Sequence, residues 1–99
     1  MTDENANRPG SRFRVNPDTV ANRIGNQVIL VHLQTDRIFE LNRTAARLWE
    51  LISDGCDLPE IQSRLLQEFD VTESQLAGEI QALLASLEKE QFLEIDHES

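Results

Sequence analysis

A chain of 99 residues with 18 acidic against 9 basic side chains carries a net charge of -9, which sets it against DNA and RNA, whose phosphates need a basic patch. Its 39% of hydrophobic residues suits one small domain. With both ends too polar to join the core, roughly 80 residues are left to fold, too few for a deep catalytic cavity. A single cysteine, Cys56, excludes an internal disulfide and a multi-cysteine metal site. No apolar run nears the ~18 residues that cross a membrane, and the N-terminus lacks the apolar heart of a signal peptide, so a soluble cytoplasmic protein is expected.

Residues 1–11 are polar and end in Pro9-Gly10, which predicts a disordered tail. Phe13 and Val15 alternate with polar neighbours as a short extended segment before the Asn16-Pro17-Asp18 turn. A strand from Thr19 to Ile24 and a β-branched run from Gln27 to Leu33 flank Gly25-Asn26, two residues that tolerate positive φ and so suit a hairpin loop. Gln34-Thr35-Asp36 turns the chain again into Arg37 to Leu41, completing a three-stranded antiparallel meander.

From Asn42 the apolar period changes from two to that of a helix, through Ala45, Leu48, Trp49 and Ile52. Asn42 is the expected cap and Gly55 the expected stop. Asp57-Leu58-Pro59-Glu60 starts a second helix, with Ile61, Leu65 and Phe69 as its buried stripe. Thr72-Glu73-Ser74-Gln75 is a capping box for a third, with Val71 and Leu76 placed as a hydrophobic staple. That helix runs to about Lys89, burying Leu76, Ile80, Leu83, Leu84 and Leu87. Phe92 to Ile95 should pack back on the domain, taken as residues 12–95, and residues 96–99 should fray. The fold class expected is α+β, winged-helix-like: three antiparallel strands followed by three helices.

No catalytic constellation accompanies these elements. His32, His97 and Cys56 have neither ligand nor triad spacing, the four glycines never cluster around a phosphate, and no cofactor or metal is expected. Cys56 reads as a half-buried structural thiol and Trp49 as core rather than an exposed anchor. Gly78, in the middle of a helix, is either a surface defect costing about 1 kcal/mol or a point of close backbone approach. Arg37, Arg43 and Arg47 form either a solvated face or a positive margin that meets a partner's carboxylate.

The feature with functional content is an edge. Arg37 to Leu41 is the outermost strand of the meander, and its unpaired N–H and C=O groups must be covered or used. With the third helix alongside, it would floor a groove that an extended peptide enters as an extra strand. The other possibility is that the tail or a second copy caps it.

The segment Phe39-Glu40-Leu41-Asn42-Arg43-Thr44-Ala45-Ala46-Arg47-Leu48-Trp49-Glu50-Leu51, followed by Asp54-Gly55 and by Glu79-Ile80-Gln81-Ala82-Leu83-Leu84, resembles the PqqD-like family. These are the peptide chaperones of pyrroloquinoline quinone synthesis and the related recognition domains of ribosomally made, modified peptides. The resemblance spans about Val15 to Leu93. Two positions depart from it: Glu79 stands where Asp is frequent, and Gln91 stands where a glycine usually closes the last helix, which bears on the geometry of the wing.

The resemblance implies a non-enzymatic protein that binds the leader segment of a precursor peptide beside the third strand and presents it to a partner enzyme. Carried over by position, the main-chain contacts fall on Arg37, Ile38, Phe39, Glu40 and Leu41. Ala77, Ile80, Gln81 and Leu84, which share one flank of the third helix, are expected to wall the groove. Arg37 and Glu40 are placed to steer charged leader residues. As a free-standing short chain it would work with a separate enzyme, a radical S-adenosylmethionine enzyme in the quinone pathway or a leader-removing cysteine protease in a split lasso-peptide system, the latter favoured by Trp49. A monomer or weak homodimer is expected. The rival readings are a winged-helix transcription regulator, opposed by Glu73, Glu79, Glu88 and Glu90 against Lys89 alone on or beside the third helix, and a small adaptor that pairs with its own copy.

Overall fold

The structure is a computed structural model that describes residues 12–96, with side chains from Phe13 to Ile95. The expected tail at 1–11 and residues 97–99 lie outside the described residues. The elements run β1 (Arg12–Val15), β2 (Thr19–Ile24), β3 (Gln27–His32), β4 (Ile38–Leu41), α1 (Arg43–Ser53), α2 (Leu58–Glu68), α3 (Glu73–Lys89) and β5 (Leu93–Asp96). The expected α+β order, a three-stranded antiparallel sheet followed by three helices, is therefore what the chain adopts.

β2, β3 and β4 form the meander, with β3 at its centre. Gly25-Asn26 closes the first hairpin with Gly25 at φ +62°, the left-handed backbone that a tight two-residue turn requires. β3 alternates strictly, with Val28, Leu30 and His32 buried and Ile29 and Val31 only half-buried, so one face of the sheet meets the helices and the other does not. Behind the inner face lies one core, to which α1 contributes Leu48, Trp49 and Ile52, α2 Ile61 and Leu65, and α3 Leu76, Ile80, Leu84 and Leu87. Leu83 and Phe69, expected inside, are only half-buried.

Capping explains why three short helices have sharp ends. Asn42 accepts the Ala45 N–H through Oδ1 at 2.9 Å, and Asp57 with Glu60 and Thr72 with Gln75 both form reciprocal capping boxes. α1 and α3 end in the same motif, in which the second residue past the cap bonds back to the third residue from the end. In α1 these bonds run from Gly55 N–H to Ile52 O and from Cys56 N–H to Leu51 O, with Gly55 at φ +89°. In α3 they run from Gln91 N–H to Glu88 O and from Phe92 N–H to Leu87 O, with Gln91 at φ +68°. Gln91 thus adopts the backbone of the glycine it replaces, so the departure leaves the geometry intact. A side chain in this region costs roughly 1 kcal/mol. Gln91→Gly should raise stability by up to about 1 kcal/mol, read as a higher urea midpoint at unchanged slope.

Two sequence expectations need amending. Phe92 to Ile95 does pack back, but Leu93 to Ile95 do so as part of β5, which pairs antiparallel with β1 in a separate two-stranded sheet. Asp96, expected to begin the fraying end, lies opposite Arg12 as the last residue of β5. Asn16 ties this second sheet to the rest: its N–H donates to Phe92 O at 3.0 Å and its Nδ2 to Gln91 O at 2.8 Å, and its Nδ2 lies 3.2 Å from the buried His32 Nε2. Gly78 has open space where a Cβ would stand, which favours the surface-defect reading over close approach.

α1 and α2 are clamped outside the core by Arg47, whose Nε and guanidinium N–H meet the two Glu68 oxygens at 2.8 and 2.9 Å, with Glu50 at 3.0 Å. The hydrogen bond from Arg47 holds the Glu68 carboxyl below its ordinary value of 4.5 and raises Arg47 in turn. A depressed carboxylate contributes stability above its unfolded pKa and loses it as pH falls through the folded one. The clamp should therefore be fully present at pH 6 and be lost progressively as pH falls from the unfolded value through the lowered folded one, while Arg47 adds no slope in that range. Both groups are about one third exposed, so screening limits the effect to about 0.5–1 kcal/mol. Glu68→Gln should remove this increment at pH 6 and cost progressively less as the pH is lowered into the acid range, by urea denaturation over a pH series.

Candidate functional site

The site is built on β4, whose register follows from the turn before it. Asp36, at φ +59°, donates its N–H to His32 O at 2.8 Å, and His32 N–H reaches Arg37 O at 2.9 Å. Arg37 therefore turns its main-chain groups toward β3, and in an antiparallel ladder every second residue does the same. Phe39 and Leu41, opposite Leu30 and Val28, follow Arg37. Ile38 and Glu40 consequently point their N–H and C=O groups away from β3, at the edge of the sheet where no strand is paired among the described residues.

The side chains sort by the same parity. Phe39 and Leu41 face inward, half-buried and buried respectively, while Ile38 and Glu40 are exposed on the outer face. Phe39 meets the edge of Phe92 with ring centres 5.9 Å apart, and Phe92 meets His32 in the same manner at 5.8 Å. This aromatic row supports β4 from beneath.

α3 runs past β4 in the opposite direction. Arg37, at the start of β4, forms an ion pair with Glu90 at the end of α3. At the other end of β4 an open groove of about 460 Å³ lies between the first turns of α1 and the middle of α3. Asn42, Thr44, Ala45 and Leu48 line one side; Glu79, Ile80, Ala82, Leu83 and Ser86 line the other; Leu65 and Leu76 complete its floor. The lining is mostly apolar, with Glu79 as its charged residue, so it suits an apolar side chain with a donor at its rim.

Of the four helix residues expected to wall a groove, Ile80 lines this one, whereas Ala77, Gln81 and Leu84 do not. Leu84 is buried in the core, Ala77 is half-buried and Gln81 is exposed. At 100° per residue, Leu83, Ser86, Glu79 and Glu90 share the flank on the other side of the buried stripe. Arg37 is engaged by Glu90, leaving Glu40 as the exposed charge of the strand. Among the described residues no cluster of three or more His, Cys, Asp or Glu is placed to hold a metal, and no helix is long and apolar enough to cross a membrane.

The model of the family described as Coenzyme PQQ synthesis protein D (PqqD) matches residues 27–93, from the start of β3 to the start of β5. The chain belongs to the PqqD family. Its members' recognisable text thus covers the strand, the groove and all three helices, and omits β1 and β2. Among solved structures this PqqD-family chain is similar to TbiB1 in complex with the TbiA(beta) leader peptide, at 26% identity and a TM-score of 0.79 over 87% of this chain and 99% of that one. It is also similar to a lasso peptide synthetase B1 complexed with the leader peptide, at 23% identity and a TM-score of 0.76 over 84% and 98%, a likeness of fold. Among curated proteins no match is found.

The groove is lined by residues that the sequence reading did not assign to a peptide site, among them Asn42, Thr44, Glu79, Ala82, Leu83 and Ser86. One signal was available for this flank of α3: Leu83 stands at the margin of the apolar stripe, next to the small residues Ala82 and Ser86, which leave a furrow. Small Ala77 and Ala85 stand elsewhere on the helix, so residue size alone does not choose between the flanks.

Proposed function

We propose that this protein recognises the leader segment of a ribosomally made precursor peptide by β-strand addition at β4 and delivers it, without catalysis of its own, to a separate maturation enzyme. The observation that carries the reading is a strand edge, unpaired among the described residues, with Ile38 and Glu40 presenting main-chain donors and acceptors, beside an apolar groove walled by α3. Main-chain bonds along the edge supply affinity with little regard to sequence, and the groove supplies selectivity through one buried side chain of the leader. TbiB1, similar over nearly its full length, is itself known in complex with a leader peptide. The partner is a leader-removing protease of the lasso type or a radical S-adenosylmethionine enzyme, and the first is favoured by the resemblance at Trp49. An acidic leader residue near Arg37 would compete with Glu90 for the guanidinium.

Calorimetric titration with synthetic leader peptides from precursor genes beside its own tests the reading. One-to-one binding with a Kd of about 1 µM or tighter, near -8 kcal/mol, is expected. No heat with any of these leaders would overturn it. Leu83 is half-buried, so Leu83→Asp should leave the fold intact while placing a charge in the groove. It should weaken leader binding at least about tenfold, about 1.4 kcal/mol.

A further inference from the structure

Four large hydrophobic residues are exposed among those described: Val20 at 39%, Ile24 at 60%, Leu33 at 59% and Ile38 at 67%. All four belong to the outer face of the β2-β3-β4 sheet. The register sets Val20 opposite Val31 and Val31 opposite Ile38, one apolar row across three strands. Ile24 follows by alternation along β2. Leu33 extends the row's side of β3, since its N–H continues the ladder to Asp18 O at 2.9 Å. The half-buried Ile29 and Val31 on this face are not among the residues packed against the core. A clustered apolar face of this kind, unlike scattered exposed leucines, marks an interaction surface.

The charges around it restrict the occupant. The outward positions of the three strands carry no Arg or Lys: Arg23 faces inward to Glu50 and Arg37 to Glu90. Glu40 is the one charged residue on these positions, and exposed Asp36 stands at the corner beside Ile38. A second copy would bring another chain of net charge -9 against an acidic rim, a repulsion that opposes self-association. The complementary occupant has an apolar centre and a basic rim.

Position completes the argument. A leader strand paired along Ile38 and Glu40 would extend this same sheet, with alternate side chains standing on the outer face next to those two residues. We infer that the outer face of the β2-β3-β4 sheet is the docking surface for the maturation enzyme, through a basic-rimmed apolar patch on that enzyme. The inference rests on the proposed leader-binding reading. The surface is then complete only when the peptide is loaded, so the enzyme binds the loaded protein more tightly than the empty one.

The test uses the purified leader-removing protease, or radical enzyme, encoded beside this chain, titrated against the leader-loaded protein. Val20→Thr with Ile24→Thr keeps residues suited to strands and lies on β2, two strands away from the leader edge. The double variant, confirmed folded by its urea midpoint, is expected to bind leader within about twofold of the parent and the enzyme at least about tenfold more weakly. Unchanged enzyme affinity, or no binding of the enzyme to the loaded parent, overturns the inference. A parent dimer that the double variant converts to monomer in sedimentation would also overturn it and assign the face to a second copy. Failure of the underlying reading looks different: the parent binds no leader, yet binds the enzyme through a contact that the double variant loses.

Discussion

Glu40→Pro should weaken leader binding at least about thirtyfold while leaving the protein folded. The reason is the parity of β4. His32 N–H bonds to Arg37 O, so the Glu40 N–H points away from β3 and contributes nothing to the existing ladder. Proline is tolerated at such an edge position because the donor it lacks has no partner within the domain. An incoming strand would lose that donor and meet the pyrrolidine ring in its place, leaving a buried acceptor unpaired at a cost of about 2 kcal/mol or more, roughly thirtyfold in Kd. Glu40→Ala, which removes the carboxylate and keeps the N–H, should weaken binding by only about threefold, the scale of an exposed charge. Phe39→Pro would break the ladder to Leu30 and should unfold the sheet. Calorimetric titration of Glu40→Pro and Glu40→Ala, with a urea midpoint for each, checks the prediction. A folded Glu40→Pro protein that binds leader as tightly as the parent would remove β-strand addition from consideration.

What the sequence conveyed and what it withheld follow from how local each feature is. The caps at Asn42, Asp57 and Thr72 and the hairpin at Gly25-Asn26 depend on residues within four positions of one another, and all four are where the residue types place them. The pairing of β1 with β5 joins Val15 to Leu93. Nothing in Phe13 or Val15 specifies so distant a partner, and the four residues of β5 follow, after Glu90, Gln91 and Phe92, a helix whose end has no glycine to announce the change of direction. The groove wall was withheld for another reason. The apolar period of α3 fixes which stripe is buried, through Leu76, Ile80, Leu84 and Leu87. Which flank of that stripe faces β4 depends on how α3 crosses the sheet, and that is set by packing rather than by the helix's own sequence. The ion pair between Arg37 and Glu90 records the outcome. Ile38 was legible as part of the edge strand, but its place in an apolar row required the register with Val31 and Val20.

Phe92→Ala should be the most damaging single truncation in the domain. Phe92 is fully buried, and it sits where the second sheet, the end of α3 and the floor of β4 meet. Its ring contacts Phe39 and His32 edge-on, its N–H closes the α3 end on Leu87 O, and its carbonyl accepts the Asn16 N–H at 3.0 Å. The substitution keeps the main-chain bonds and removes the ring, leaving a cavity bordered by two other aromatic side chains and by the helix end. Phenylalanine-to-alanine changes in a core cost about 3–5 kcal/mol, the lower figure where neighbours collapse into the space. Here Phe39 is the half-buried neighbour free to move, and its inward shift would pull on β4. A domain of this length has a total stability of roughly 4–13 kcal/mol, so the loss is a large share of it. Urea denaturation should show a midpoint lowered in proportion. If the protein remains folded, leader affinity should fall as well, because the strand that receives the peptide rests on this ring. Phe13→Ala offers the control: Phe13 is half-buried and packs against the core from β1, remote in sequence from β4, so its truncation should lower the urea midpoint while leaving the leader affinity of the folded protein unchanged. Loss of affinity in Phe92→Ala alone would assign the effect to the support of β4 rather than to stability in general.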